Sequence, residues 1–131
     1  MSGKSVWGQA LLEFALVLPI LLLLVGAAVD FGLAVYARSQ VEAAVREGAR
    51  LGSVVWPNGD ADAQVRQRTL AEAGAPPRAV LGQVQVSYPD GRVRGGRIQV
   101  SLACRYPPAL PFLRLMAAEV PCDGTATMRL E

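Results

Sequence analysis

Glu13 stands near the start of an almost unbroken apolar run that extends from Gly8 to Phe31. An ionisable group in such a run is expensive and reads as functional by default. Its available chemistry is charge pairing, because nothing near it could turn over a substrate. The chain contains no histidine, which removes His-based general bases, Ser-His and Cys-His nucleophile pairs and the usual zinc sets. Cys104 and Cys122 are the only cysteines, and no metal cluster or glycine-rich phosphate loop is visible. An acid-only enzyme would need a pair such as Glu72 and Asp90, and nothing in the sequence brings those two together. The expectation is no enzyme, no cofactor, no metal and no small-molecule substrate. A net charge of +2 is too small to imply a nucleic-acid partner.

The element that carries Glu13 is a membrane segment. Ala10 to Val29 is free of other charges, and as a helix it spans about 30 Å, the thickness of a hydrocarbon core. Pro19 is tolerable in a membrane helix. Asp30 ends the run. A cleavable secretory signal is the competing reading, with "VGA" before Ala28 as a small-residue cut site. Against it, the apolar stretch is long, contains Glu13 and runs on into further helical patterning. In "FGLAVYARSQVEAAVREGARLG" the 3.6-residue period persists. Ala37, Val41, Ala44, Val45 and Gly48 form one small apolar face, while Arg38, Glu42 and Arg46 alternate in sign at i, i+4. One helix to about Val54 follows.

Gly8 precedes "QALLEF", so a cut after Gly8 makes Glu13 the fifth residue of the product. This resembles the type IV prepilins, whose short basic leader, here "MSGKSVWG" with Lys4, ends in glycine. Together with "EAAVREGAR" at 42–50 and the terminal "ATMRLE", "GQALLEFALVLPILLLL" is similar to the TadE-like family, pseudopilins or minor pilins of the Tad (Flp) pilus system. The resemblance implies Gly8 and Gln9 as the scissile pair of a membrane aspartyl prepilin peptidase. It implies Glu13 as the acid that meets the new amine of a neighbouring subunit and sets axial register. Implied partners are other pilin or pseudopilin subunits, the Tad prepilin peptidase, the assembly platform and the cytoplasmic membrane. Surface adhesion and biofilm formation are the implied roles.

The remaining roughly 75 residues make a domain whose core is marginal without a staple. Trp56-Pro57-Asn58-Gly59 breaks the long helix. Asp60 or Asp62 can cap a second helix with Ala61, Val65, Thr69 and Ala73 on one face and Leu70 beside them, which stops at Gly74 to Pro77. "QVQVSY" and "RIQVSLACRY" alternate as strands around the turn Pro89 to Arg92. Pro107 to Pro111 forbid further pairing, "FLRLMAAE" allows a short helix, and Val120 to Leu130 is a third, less regular strand. The fold class expected is α+β: a long N-terminal transmembrane helix continuing into a small domain with a three-stranded antiparallel sheet and a short helix. The division is 1–8 leader, 9–55 helix and 56–131 extracytoplasmic domain.

A Cys104–Cys122 disulfide would stabilise that domain by around 3 kcal/mol in the chain-entropy model. Two cysteines flanking a loop, without a redox motif, fit an oxidising compartment; buried free thiols in a cytosolic domain are the alternative. The positive-inside count disagrees, since Lys4 alone precedes the span while Arg38 and Arg46 follow it. The expectation taken forward is a single-pass subunit of the bacterial inner membrane with its domain outside the cytoplasm. An uncleaved single-pass binding or adhesion module is the alternative.

Overall fold

Gly3–Val55 form one helix, α1, of 53 residues in the computed structural model, which describes residues 3–116 and 119–131. Met1, Ser2 and the Lys4 side chain of the expected leader lie outside the described residues, as do the two alanines of "FLRLMAAE". Leucine, alanine and other straight-chain residues dominate α1, and Pro19 interrupts its hydrogen-bond ladder without ending it. The helix stops one residue beyond the expected Val54. There the amides of Trp56 and Asn58 turn back onto the carbonyls of Gly52 and Val55.

α2 (Ala61–Ala73) returns antiparallel along the last turns of α1 and buries the four expected residues, Ala61, Val65, Thr69 and Ala73. Asp60 occupies the N-cap position but makes no side-chain cap bond there. Its carboxylate instead accepts from the Gln64 amide at 2.8 Å. Close approach of the two helices depends on Gly48 and Gly52, one turn apart on α1. A Cβ at Gly48 would overlap the Thr69 hydroxyl, and one at Gly52 would overlap Ile98 and stand 3.1 Å from Val65. Thr69 satisfies its buried hydroxyl by donating to the Val65 carbonyl at 2.8 Å.

The sheet covers the adjoining face of α1. β1 (Val80–Ser87) and β2 (Arg97–Tyr106) pair antiparallel, with a register shift between Leu81 and Val84. Every alternate residue of β2 from Ile98 to Tyr106 is buried, as its period requires. β2 runs down α1 from Gly52 toward Asp30, and Ala37, Val41, Ala44, Val45 and Ala49 supply the helical side of the same core. The expected third strand is instead two, making the sheet four-stranded: β3 (Val120–Pro121) pairs with the end of β2, and β4 (Gly124–Arg129) with its first half. The split falls at Cys122-Asp123. Here the Asp123 carboxylate, rather than a backbone carbonyl, accepts from the Cys104 amide at 2.8 Å. Between β2 and β3 lies α3 (Pro111–Met116), a short helix following the Pro107-Pro108 break.

The chain's last residues close the far end. Leu130 is buried and bonds Gly96, the Glu131 amide donates to the Ser53 carbonyl, and Trp56 Nε1 donates to the Glu131 carbonyl at 3.0 Å. Thus the second half of α1 is the spine of the folded head, and the first half extends beyond it.

Candidate functional site

The extended half of α1 is bare. Leu11, Leu12, Phe14, Leu16, Ile20 and Leu22 are all exposed, and the most apolar 18-residue window has a mean hydropathy of 2.6 with none of it buried. This is the composition and length of a single-pass membrane anchor. Glu13 is exposed on this half, about 4 residues inside the expected span, and Gly8 is exposed before it. A Cβ at Gly8 would meet no atom within 4 Å, so the fold itself has no need of glycine there.

Asp30, where the bare half meets the head, has the opposite environment. It is 4% exposed, and its carboxylate takes three hydrogen bonds. The Tyr106 hydroxyl donates to Oδ1 at 3.0 Å, and the amides of Ala109 and Leu110 donate to Oδ2 at 2.8 and 3.1 Å. Burial pushes this carboxyl up, but the bonds from Leu110, Tyr106 and Ala109 and the charge of Arg78 outweigh it, so its pKa lies below the ordinary value. Burial and the same carboxylate raise the Tyr106 phenol, which stays a donor. Asp30 therefore ties the Pro-rich segment before α3 to the head-side end of the apolar run.

The sequence marks Asp30 only as the end of an apolar run. Its partners are 76 to 80 residues away, and no periodicity connects them. A usable signal existed in retrospect: an acid at a span boundary together with a lone Tyr-Pro-Pro that ends a buried strand.

Cys104 and Cys122 are bonded, with Cα atoms 4.8 Å apart and both side chains buried. The Cys122 amide also donates to the Cys104 carbonyl at 3.0 Å, so the bridge and the ladder reinforce one another. The Arg38–Glu42–Arg46 series pairs as its spacing suggests, and Glu47 joins Arg50 to Arg68 of α2. Exposed pairs of this kind contribute little each. Glu72 pairs with Arg68, and Asp90 with Arg97; each carboxylate is taken by a neighbouring arginine. Among the described residues no group of three or more metal-ligating side chains occurs.

A helix bare for half its length, continuing without a break into a disulfide-closed α+β head, fits a single-pass membrane-anchored protein built on one spine. A family model described as TadE-like protein matches residues 8–50. The matched segment is the one that carries the resemblance in the sequence: the bare half of α1 and most of its buried stripe. The terminal "ATMRLE" and everything else beyond Arg50 lie outside the match. Comparison with curated proteins and with solved structures gives no match.

Proposed function

We propose that this chain is a minor-pilin-like or pseudopilin-like structural subunit of the Tad (Flp) pilus system, held in the inner membrane with its head outside the cytoplasm. The carrying observation is the coincidence of the TadE-like match with a helix whose most apolar window has no buried residue. Such a surface buries itself in lipid, against other helices, or both. Leader removal between Gly8 and Gln9 by the Tad prepilin peptidase would free an amine near Glu13. A neighbouring subunit's carboxylate pairing with that amine offsets the desolvation of both. Glu13 then sets axial register during assembly, and the head presents a surface that supports adhesion. The Cys104–Cys122 bridge supports an oxidising compartment for the head.

Intact-mass and N-terminal analysis of protein extracted from membranes tests the reading. The mature chain should begin at Gln9, and Gly8→Val should block the cut while leaving the fold unchanged, since that position is open. Recovery of Met1 or Ser2 with the peptidase active favours the uncleaved anchored module instead. Glu13→Gln keeps size and span length but removes one side of the proposed pair, at a cost of about 2–5 kcal/mol. Membrane level and cleavage should persist, and cross-linking to other pilus subunits should fall. Undiminished cross-linking at equal protein level would return Glu13 to an ordinary interfacial acid.

A further inference from the structure

α3 is six residues long and strongly apolar, yet it contributes nothing to the core. Leu115 is 92% exposed, Met116 82% and Phe112 40%. Beside it, Phe31 and Val35 of α1 are also exposed, and a groove of 530 Å³ runs between the two helices. Ala27, Phe31, Leu113, Met116 and Val120 line this groove, with Asp30 and Arg38 at its polar margin. Surfaces of this kind on a small domain mark something that covers them.

The height of α3 along α1 identifies the cover. Leu110 packs on Gly26: a Cβ there would lie 3.2 Å from Leu110 Cδ1. Gly26 is three residues inside the expected end of the span at Val29, or about 5 Å within the hydrocarbon at 1.5 Å per residue. The Asp30 bonds to Ala109 and Leu110 fix the chain at this height, immediately before α3 begins. The apolar face of α3 is therefore continuous with the membrane-facing surface of α1, not with the solvent-facing head. The polar residues are placed accordingly. Arg114 is exposed, with its Nε donating to the Pro108 carbonyl at 2.9 Å, and Arg38 stands two turns above Asp30. Arg114 is positioned to meet lipid phosphates as the apolar side chains enter the acyl region, whereas Arg38 is paired with Glu42.

We infer that α3 is a second membrane contact: it lies in the interface of the head-side leaflet, with Phe112, Leu115 and Met116 among the upper acyl chains and a lipid tail occupying the groove against α1. An interfacial element of this sort inserts roughly 5–10 Å below the headgroups. It holds the head upright against the bilayer instead of letting it swing from a single helix. The inference rests on α1 crossing a bilayer and is independent of any role in a pilus.

The test uses the full chain with its disulfide intact. Leu115→Cys, Val93→Cys and Ile20→Cys variants each carry one environment-sensitive fluorophore and are reconstituted into phosphatidylethanolamine–phosphatidylglycerol vesicles. Spin-labelled lipids with the quencher high or low on the acyl chain are then added. Val93 is equally a surface hydrophobe, 55% exposed, but lies at the far end of the head. The probe at 115 should show blue-shifted emission and lose intensity with the shallow quencher. The probe at 93 should do neither, and the probe at 20 should respond to the deep quencher. Aqueous, unquenched emission at 115 with quenching at 20 would overturn the inference while leaving the span intact. Blue-shifted emission at 115 that ignores the quenchers and fades on dilution with lipid would assign the groove to a second copy, and overturn it equally. Absence of quenching at 20 would remove the span and the inference together.

Discussion

Replacing Asp30 by alanine removes the acceptor for three donors at once, and the structure sets the size of the effect. The Tyr106 hydroxyl is the most costly to orphan, because that residue is 1% exposed and an unpaired buried donor costs about 1–3 kcal/mol. The two amides belong to an exposed and a half-buried residue, so water recovers part of their loss. Hydrogen bonds to a charged group contribute about 1.5–3 kcal/mol each, and the lower figure is the appropriate one for those amides. The whole change should cost about 4–6 kcal/mol, a large share of what a small head possesses. Asp30→Asn should cost less, about 1–2 kcal/mol, because its carbonyl can still accept from both amides while its NH2 donates to the Tyr106 oxygen. Urea unfolding of the full chain in detergent, followed by near-UV circular dichroism, reads the global effect. Hydrogen exchange at Ala109 and Leu110 reads the local one. The pH dependence is also determined. The folded carboxyl has a depressed pKa, so its stabilisation is complete above the unfolded-state value of about 4 and disappears as pH falls through the folded value. The Asn variant should lack that acid step. Unchanged amide protection in Asp30→Ala, with a stability within about 0.5 kcal/mol of wild type, would refute the assignment of Asp30 as a clamp.

Replacing both cysteines by alanine should lower stability by about 3 kcal/mol, and denatured, unreduced wild type should resist alkylation. Gly48→Ala should destabilise by about 1–3 kcal/mol despite alanine's better helix propensity, because the new methyl meets Thr69; Gly8→Ala should not destabilise the fold, and equal thermal midpoints for the two variants would contradict the packing argument. The Tyr88 phenol is pushed up to about 12 by burial, its bond to the Asp62 carboxylate at 2.8 Å and that carboxylate's charge. Ultraviolet titration should find it there, and Asp62→Asn should bring it down toward 10.

Periodicity made most of the fold legible because burial here follows simple repeats. The α1 face from Ala37 to Gly48, the four buried positions of α2 and the alternate residues of β2 are each set by one helix or strand facing one core. The third strand defied that reading. Its alternation is broken where Cys122 must reach Cys104 and Asp123 must bond the β2 backbone, a non-local demand that leaves only an irregular pattern behind. Asp30 was illegible for a related reason. A charged residue at a span boundary already has a sufficient local explanation, and nothing near it reports that Tyr106 and Leu110 arrive from the other end of the chain. By contrast, Glu13 is conspicuous in the sequence because its immediate surroundings offer it nothing.

The two acids show how one residue type acquires different tasks on one helix. Asp30 is held by donors from its own chain, so its charge is spent within the head. Glu13 stands 17 residues earlier, about 25 Å along an ideal helix, among exposed side chains. At 100° per residue it also lies roughly a quarter turn away from the stripe that faces the sheet. A carboxylate in that position points sideways from the plane of head and helix, toward whatever helix stands alongside. The buried stripe from Ala37 to Ala49 fixes the head's rotation about α1, and the Asp30 clamp holds the Pro-rich segment before α3 against the helix at its lower end. If neighbouring heads pack together, that fixed rotation determines which way each Glu13 points. Releasing the Pro-rich segment at Asp30 should loosen any assembly in which the base of the head packs beside the span, even where Glu13 and the apolar span are untouched. Subunit cross-linking in Asp30→Ala, at equal membrane level and with the disulfide formed, should fall for this reason, and Asp30→Asn, which keeps the bonds, should retain it; unchanged cross-linking in Asp30→Ala would show that head and stalk assemble independently.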